Sequence, residues 1–290
     1  MANLKEIRSR ITSVTSTMQI TSAMKMVSAA KLKRAQDAVT QLRPYANKLR
    51  DILQNISSTL DSSAGGELAV QREIKKVLLV VITSNRGLAG AFNSNVIKAA
   101  NAYLADAKQK GIEVEILAIG KKGYDLLHKQ NKIYDNKSSI WDQIKYEDIA
   151  AISEEITAKF IAGEFDQVRL VYNQFKNAAT QIVIDEQYLP VQIQTGAAES
   201  SSTAVDYIFE PSKEKIVTDL IPQTLKTQLY KAILDSNAAE HGARMTAMHK
   251  ATDNADALRK ELVLQYNKER QAAITNEILE IVGGAEALDN

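Results

Sequence analysis

The 290-residue sequence contains no cysteine, so it can form no disulfide framework, thiolate zinc site, iron–sulfur cluster or cysteine nucleophile. Its three histidines are scattered. His241 and His249 stand eight apart on a predicted helix, not at the four-residue spacing that lets two imidazoles share a metal, and no Glu-x-x-His occurs. No apolar run approaches the roughly 20 residues of a bilayer-spanning helix. The opening Met1-Ala2-Asn3-Leu4-Lys5-Glu6 leads into helix without an apolar signal-peptide core. A place in the cytoplasm or on a cytoplasmic membrane face is the expectation.

Helix breakers are also missing where they would matter. All twelve glycines lie from Gly65 onward, and the first 64 residues hold one proline, Pro44. So long a stretch without glycine predicts one continuous helix. The formal charge of +1 hides a skew: residues 1–60 carry ten Lys/Arg against three Asp/Glu, a net +7. That basic rod holds a single aromatic, Tyr45. In a near-neutral chain this argues against nucleic acid as partner.

Positions alternately four and three apart from Ile7 run Ile7, Ile11, Val14, Met18, Thr21, Lys25, Ser28, Leu32, Ala35, Val39, Leu42, Ala46, Leu49, Leu53, Ile56 and Leu60. Thirteen of these sixteen are apolar. A seven-residue repeat held this long marks a left-handed coiled coil, because a 3.6-residue helix drifts off such a stripe. The three misses sit together at Thr21 to Ser28, where Ile20, Ala23, Met24, Val27 and Ala30 put apolar groups on another face. There the rod touches something besides its mate, or is locally overwound. The natural mate is the helix from about Ser212 to Leu288. Leu225, Leu229, Ala232, Ser236, Ala239 and Ala243 repeat at the same spacing, as do Ile274, Ile278, Ile281, Ala285 and Leu288, with Leu258, Leu262 and Tyr266 between.

The segment from Ile74 to Pro190 alternates strand and helix. Val77 to Thr83 is an unbroken apolar run rich in β-branched residues, as a strand buried on both faces should be. A helix is predicted over Ser94–Lys110, a strand over Val114–Ile119, and helices over Tyr124–Lys129 and Tyr146–Ala162. Strands follow over Val168–Phe175 and Gln181–Tyr188. The fold class is therefore α plus α/β: a long antiparallel coiled coil of N- and C-terminal helices with an inserted small, mostly parallel, Rossmann-like α/β domain. Its parts are a helix over 1–60, an α/β domain over 74–190, a connection over 191–211 and a helix over 212–288. Within the connection, Ala197 to Ala204 reads as a mobile loop.

Chemistry-bearing patterns fail one by one. Ser84-Asn85-Arg86-Gly87-Leu88-Ala89-Gly90 joins a strand to a helix, where phosphate meets free backbone N–H groups. It nonetheless lacks the first glycine of the dinucleotide fingerprint, and no Gly-Lys-Ser/Thr exists for a P-loop. The second strand ends in Gly120-Lys121-Lys122-Gly123, without an acidic ribose ligand; those lysines could hold an anion, but tight turns use glycine for steric reasons. Asp142, Glu147, Asp148, Glu154 and Glu155 fall around a surface helix and its start, where acids suit the dipole and solvent. No catalytic, cofactor-binding or metal residue, and no cofactor, is expected. The rival reading is an α/β nucleotide-binding enzyme with a coiled-coil oligomerisation arm.

Ile7 to Ile11, Ile20 to Val27, Ala251 to Ala255 and Tyr266 to Ile278 resemble the gamma subunit of F-type ATP synthase, bacterial type, over the whole chain. The resemblance implies a non-catalytic rotor shaft. Its paired helices would stand inside a hexamer of alpha and beta subunits, its α/β domain at the foot beside epsilon and the c-subunit ring, on the cytoplasmic face of the inner membrane. It further implies that Arg270, Gln271, Thr275 and Glu277 grip a beta-subunit loop. Met24 with Lys25 would meet the acidic beta levers, and Tyr207, Phe209 and Glu210 would face the c ring. Chloroplast-type members carry a regulatory cysteine pair, which a chain without cysteine cannot have. The absence of a transit peptide favours a bacterial protein.

Overall fold

A computed structural model of the chain describes residues 4–57, 66–191 and 213–288. The N-terminal helix α1 spans Leu4–Ser57 and the C-terminal helix α5 spans Lys213–Leu288. Both continue through an internal proline, Pro44 and Pro222. A proline deletes one intrahelical hydrogen bond, and here the neighbouring turns are held from outside by core contacts of Leu49 and of Ile221 and Leu225.

The chain divides into two compact units. One consists of the stretches up to Ser28 and from Met245 onward, the other of Ala29–Arg244. In the larger unit, five strands lie between two helical layers. They are β1 (Lys76–Ile82), β2 (Glu113–Ile119), β3 (Lys132–Asn136), β4 (Gln167–Phe175) and β5 (Gln181–Leu189). Their order is β3-β2-β1-β4-β5, parallel except for β5, which returns antiparallel to β4. The connecting helices are α2 (Phe92–Gln109), α3 (Lys121–Leu127) and α4 (Tyr146–Ile161).

The apolar run of β1 is explained by what covers each face. Leu78, Val80 and Ile82 point into a core with Ile149, Ile156 and Phe160 of α4 and Leu225, Leu229 and Ile233 of α5. Leu79 and Val81 point the other way, onto Val96, Ile97 and Ala100 of α2. Side chains alternate along a strand, so a strand covered twice must be apolar at every position. The α1–α5 pairing within this unit is antiparallel: Arg43 meets Asp235, and Tyr45, two residues later, meets Gln223, twelve residues earlier.

The heptad reading of α1 holds from Ile7 through Leu49, every position of that series being buried or half-buried. It includes the three polar ones, Thr21, Lys25 and Ser28. Thr21 and Ser28 stay in the seam because each hydroxyl bonds to a carbonyl one turn back. Thr21 also receives a hydrogen bond from Thr252 of α5 at 2.9 Å. The apolar groups opposite, Ile20, Met26 and Val27, are exposed by 57–63%.

Three expectations change. Ile274, Ile278 and Ile281 are not seam residues but exposed. Counting antiparallel from the Thr21–Thr252 contact, Leu4 falls opposite Glu269, so among the described residues α5 beyond that point faces none of α1. Strand β3 was not expected, since its half-exposed Lys-Ile-Tyr-Asp-Asn carries no apolar run. Helix α3 begins at Lys121 rather than Tyr124, because Gly120 and Gly123 pack directly on Thr83. The stretch Ala197–Ala204, and with it Tyr207, Phe209 and Glu210, lies outside the described residues.

Candidate functional site

At the entry to the glycine loop after β1, Ser84 is engaged by the protein itself. Ser84 N–H donates to Asn93 Oδ1 at 2.9 Å, and the Ser84 hydroxyl donates to Arg86 O at 2.6 Å. The start of α3 is equally occupied: Lys121 N–H donates to Asn85 Oδ1, Lys122 N–H to Ser84 O and Gly123 N–H to Thr83 Oγ1. A phosphate needs those N–H groups free. Titration of the isolated chain with ATP is therefore expected to show no binding in the micromolar range, and micromolar affinity would contradict this account of the loop.

The other constellations dissolve in the same way. Glu154 pairs with Lys226 at 2.5 Å, and Glu155 accepts from Tyr134 at 2.9 Å and pairs with Lys137 at 3.2 Å. Asp142, Glu147 and Asp148 are exposed. Glu154 and Glu155 thus face different cations, which is not the arrangement of two carboxyl groups that share a proton. Among the described residues, no group of three or more His, Asp or Glu side chains could hold a metal ion. His249 lies 3.3 Å from Asp253 on the surface. His241 is half-buried, with Nδ1 enclosed and without a hydrogen-bond partner among the described residues. Burial, then the neighbouring Arg244 and Lys31, push it down to about 4, so it is neutral near pH 7.

What the chain does present is surface. Of the eighteen large apolar side chains exposed among the described residues, eleven lie in the smaller unit: Ile20, Met26 and Val27 on α1, and eight from Leu258 to Val282 on α5. A concentration of exposed apolar groups marks a surface made to be covered by other proteins. The residues that the resemblance singled out for beta-subunit contact lie in that unit. Met24 and Lys25 are half-buried beside the exposed Met26 and Val27, while Arg270, Gln271, Thr275 and Glu277 are all exposed where α1 has ended. Thr275 returns its hydroxyl to Gln271 O at 2.9 Å, leaving the amide, guanidinium and carboxylate outward. The sequence reading missed Leu264, Leu279 and Val282, which are 56–72% exposed. Their signal was available, as they stand off the heptad stripe. Tyr207, Phe209 and Glu210 lie outside the described residues.

Among the described residues, no helix is long and apolar enough to cross a membrane. The family profile described as ATP synthase matches residues 3–288. The ATP synthase gamma chain of Flavobacterium johnsoniae is 63% identical over 294 residues, covering the whole of both chains. That of Flavobacterium psychrophilum is 65% identical over 289 residues, covering 99% of both. Among solved structures, a chain of the central stalk and c ring of the Tetrahymena thermophila mitochondrial ATP synthase matches with a TM-score of 0.58 at 25% identity. The match covers 80% of this chain and 99% of that one. A chain of the Euglena gracilis mitochondrial ATP synthase rotor matches with a TM-score of 0.64 at 20% identity over 93% and 98% of the two chains, a likeness of fold. Two long helices around an inserted α/β domain, with the family profile and relatives matched end to end, leave one conclusion: the chain belongs to the family of ATP synthase gamma chains, the non-catalytic central-stalk subunits of that complex.

Proposed function

We propose that the chain turns as the rotor shaft of a bacterial F-type ATP synthase, coupling proton flow through the c ring to ATP synthesis and hydrolysis in a surrounding hexamer of alpha and beta subunits. Residues 74–190 would form the foot beside epsilon and the ring, residues 191–211 the connection, and residues 1–60 and 212–288 the shaft. The complex would place the chain on the cytoplasmic face of the inner membrane, held there through its partners. The observation that carries this reading is the concentration of exposed apolar groups on the unit formed by the far ends of the two helices.

Torque transfer needs a body stiff to twist, a surface that each beta subunit meets differently at each angle, and a foot joined to the ring. In this reading Met24 and Lys25 meet acidic levers of the beta subunits, and Arg270, Gln271, Thr275 and Glu277 grip a beta loop. Tyr207, Phe209 and Glu210 face the c ring. Each beta subunit would then be driven through its nucleotide states as the shaft presents a new side. Run backward, hydrolysis would pump protons.

Charge supplies the test. Residues 1–60 carry net +7, and attraction between partly exposed charges fades as the Debye length falls from about 10 Å at 0.1 M to about 3 Å at 1 M salt. Reassembly of the complex is expected to slow as salt rises. Lys25→Glu is expected to reduce the ratio of proton pumping to hydrolysis more than Lys98→Glu, a change on the exposed side of α2. Equal effects of the two substitutions would count against the lever contact.

A further inference from the structure

In an open α/β sheet, ligands bind in the crevice outside the carboxyl ends of the strands, at the point where the strand order reverses. Here the order β3-β2-β1-β4-β5 reverses between β1 and β4. Two arginines from the long helices close the carboxyl ends of those two strands. On the β1 side, Arg244 of α5 donates from Nη2 to the carbonyls of Arg86 and Gly87, each at 3.3 Å, while Nη1 is held by Glu240 at 2.6 Å. On the β4 side, Arg43 of α1 donates from Nη2 to Phe175 O, the last carbonyl of the strand, at 3.1 Å and to Asp235 Oδ1 of α5 at 3.2 Å. Asp235 is fully buried and Glu240 and Arg244 are 7% exposed. Between them, Gly242 leaves so little room that a Cβ there would sit 3.2 Å from Ala178 Cα in the β4–β5 turn.

We infer that the switch-point crevice of the α/β domain is a mechanical socket. Arg43 and Arg244 are positioning residues that key the domain onto the helix pair and carry twist between them. The inference rests on the shaft reading and deepens it. A guanidinium suits this use because its planar fork spans several fixed acceptors at once, and buried acids hold it in place. An ammonium would meet the acceptors as a single point charge. Burial also raises the cost of breaking either clamp, since a bared Asp235 or Glu240 would be an uncompensated buried charge. A joint of this kind resists twist in both directions, adding directional hydrogen bonds to the apolar packing of Leu225, Leu229 and Ile233 on the sheet.

The test uses the assembled alpha–beta–gamma complex fixed to a surface without ATP, with a bead attached through Lys98→Cys in a chain that has no other cysteine. The reading is the thermal angular variance of the bead about the gripped shaft. If the two clamps act as parallel springs of similar stiffness, Arg43→Ala or Arg244→Ala raises the variance about twofold and the double substitution raises it further, while Arg43→Lys falls between. For a staple, Ala178→Cys and Gly242→Cys are combined with Arg244→Ala, the bead then being attached through a biotin-acceptor peptide. Oxidation should return the variance to the native value and reduction should raise it again. Variance unchanged by both alanine substitutions would overturn the inference. Should the alanine variants fail to assemble, the staple on otherwise native residues decides, because equal variance oxidised and reduced, with Arg43→Lys at the native value, overturns it too. Failure of the shaft reading looks different: the native bead would not rotate when ATP is added.

Discussion

Joining Met24→Cys by a disulfide to a facing beta subunit is expected to abolish continuous ATP hydrolysis, and reduction is expected to restore it. Cysteine chemistry is unambiguous here because the native chain has none. In the shaft reading such a bond ties rotor to stator at a level where α1 is paired with α5, as the nearby Thr21–Thr252 hydrogen bond records. A paired helix cannot swivel by unwinding without losing its seam. The companion bond, from Tyr207→Cys to a c subunit, joins two parts proposed to turn together and should leave coupled activity largely intact. Multi-turnover hydrolysis that survives the Met24 link while the Tyr207 link stops it would refute rotation of this chain with the ring.

Gly120→Ala is expected to cost about 2–6 kcal/mol, from backbone strain of about 1–3 kcal/mol and overpacking of about 1–3 kcal/mol. Gly120 has φ +128°, and a Cβ there would lie 2.0 Å from the Thr83 carbonyl oxygen, a backbone atom that cannot step aside. The same threonine accepts the Gly123 N–H at 2.8 Å and donates to Gly120 O at 3.2 Å, so moving it also breaks the start of α3. The control is Gly111→Ala: φ is +72° but nothing lies within 4 Å of the added methyl, which leaves about 1 kcal/mol of conformational strain. Denaturant unfolding of the purified chain should rank the two, with domains of this kind holding about 5–15 kcal/mol in all. Equal losses would show that the turn yields and that the close approach is not what requires glycine.

Much of the fold was legible because its strongest signals are local. Residues 1–60 read as a helix from the absence of glycine, which the structure describes over 4–57, and the seam read from Ile7 to Leu60 by a period that survives three polar positions and holds through Leu49. Strand β1 read from a run apolar on both faces. Of the functional surface, the apolar face around Ile20 and Val27 was readable as a stripe off the seam. The proposed grip residues from Arg270 to Glu277 came from resemblance alone, since nothing in their spacing sets them apart from any exposed helix.

The sequence by itself determined the long helices and the apolar strands, because those properties depend on residues within a turn or two of one another. Only the tertiary structure decided what covers each face. Polar Thr21 stays in the seam because a threonine 231 positions away donates to it. Ile274 to Ile281 stay open because, counted from the Thr21–Thr252 contact, no described residue of α1 lies opposite them. Polar β3 becomes a strand because the edge of β2 is there to pair with it. The crevice that the glycine loop suggested for a nucleotide is closed by Arg43 and Arg244, whose partners lie 132 and 158 positions away for the farthest backbone contact of each with the sheet domain. Periodicity cannot encode such pairings, because they arise only when separate segments are brought together and their buried polar groups must find partners.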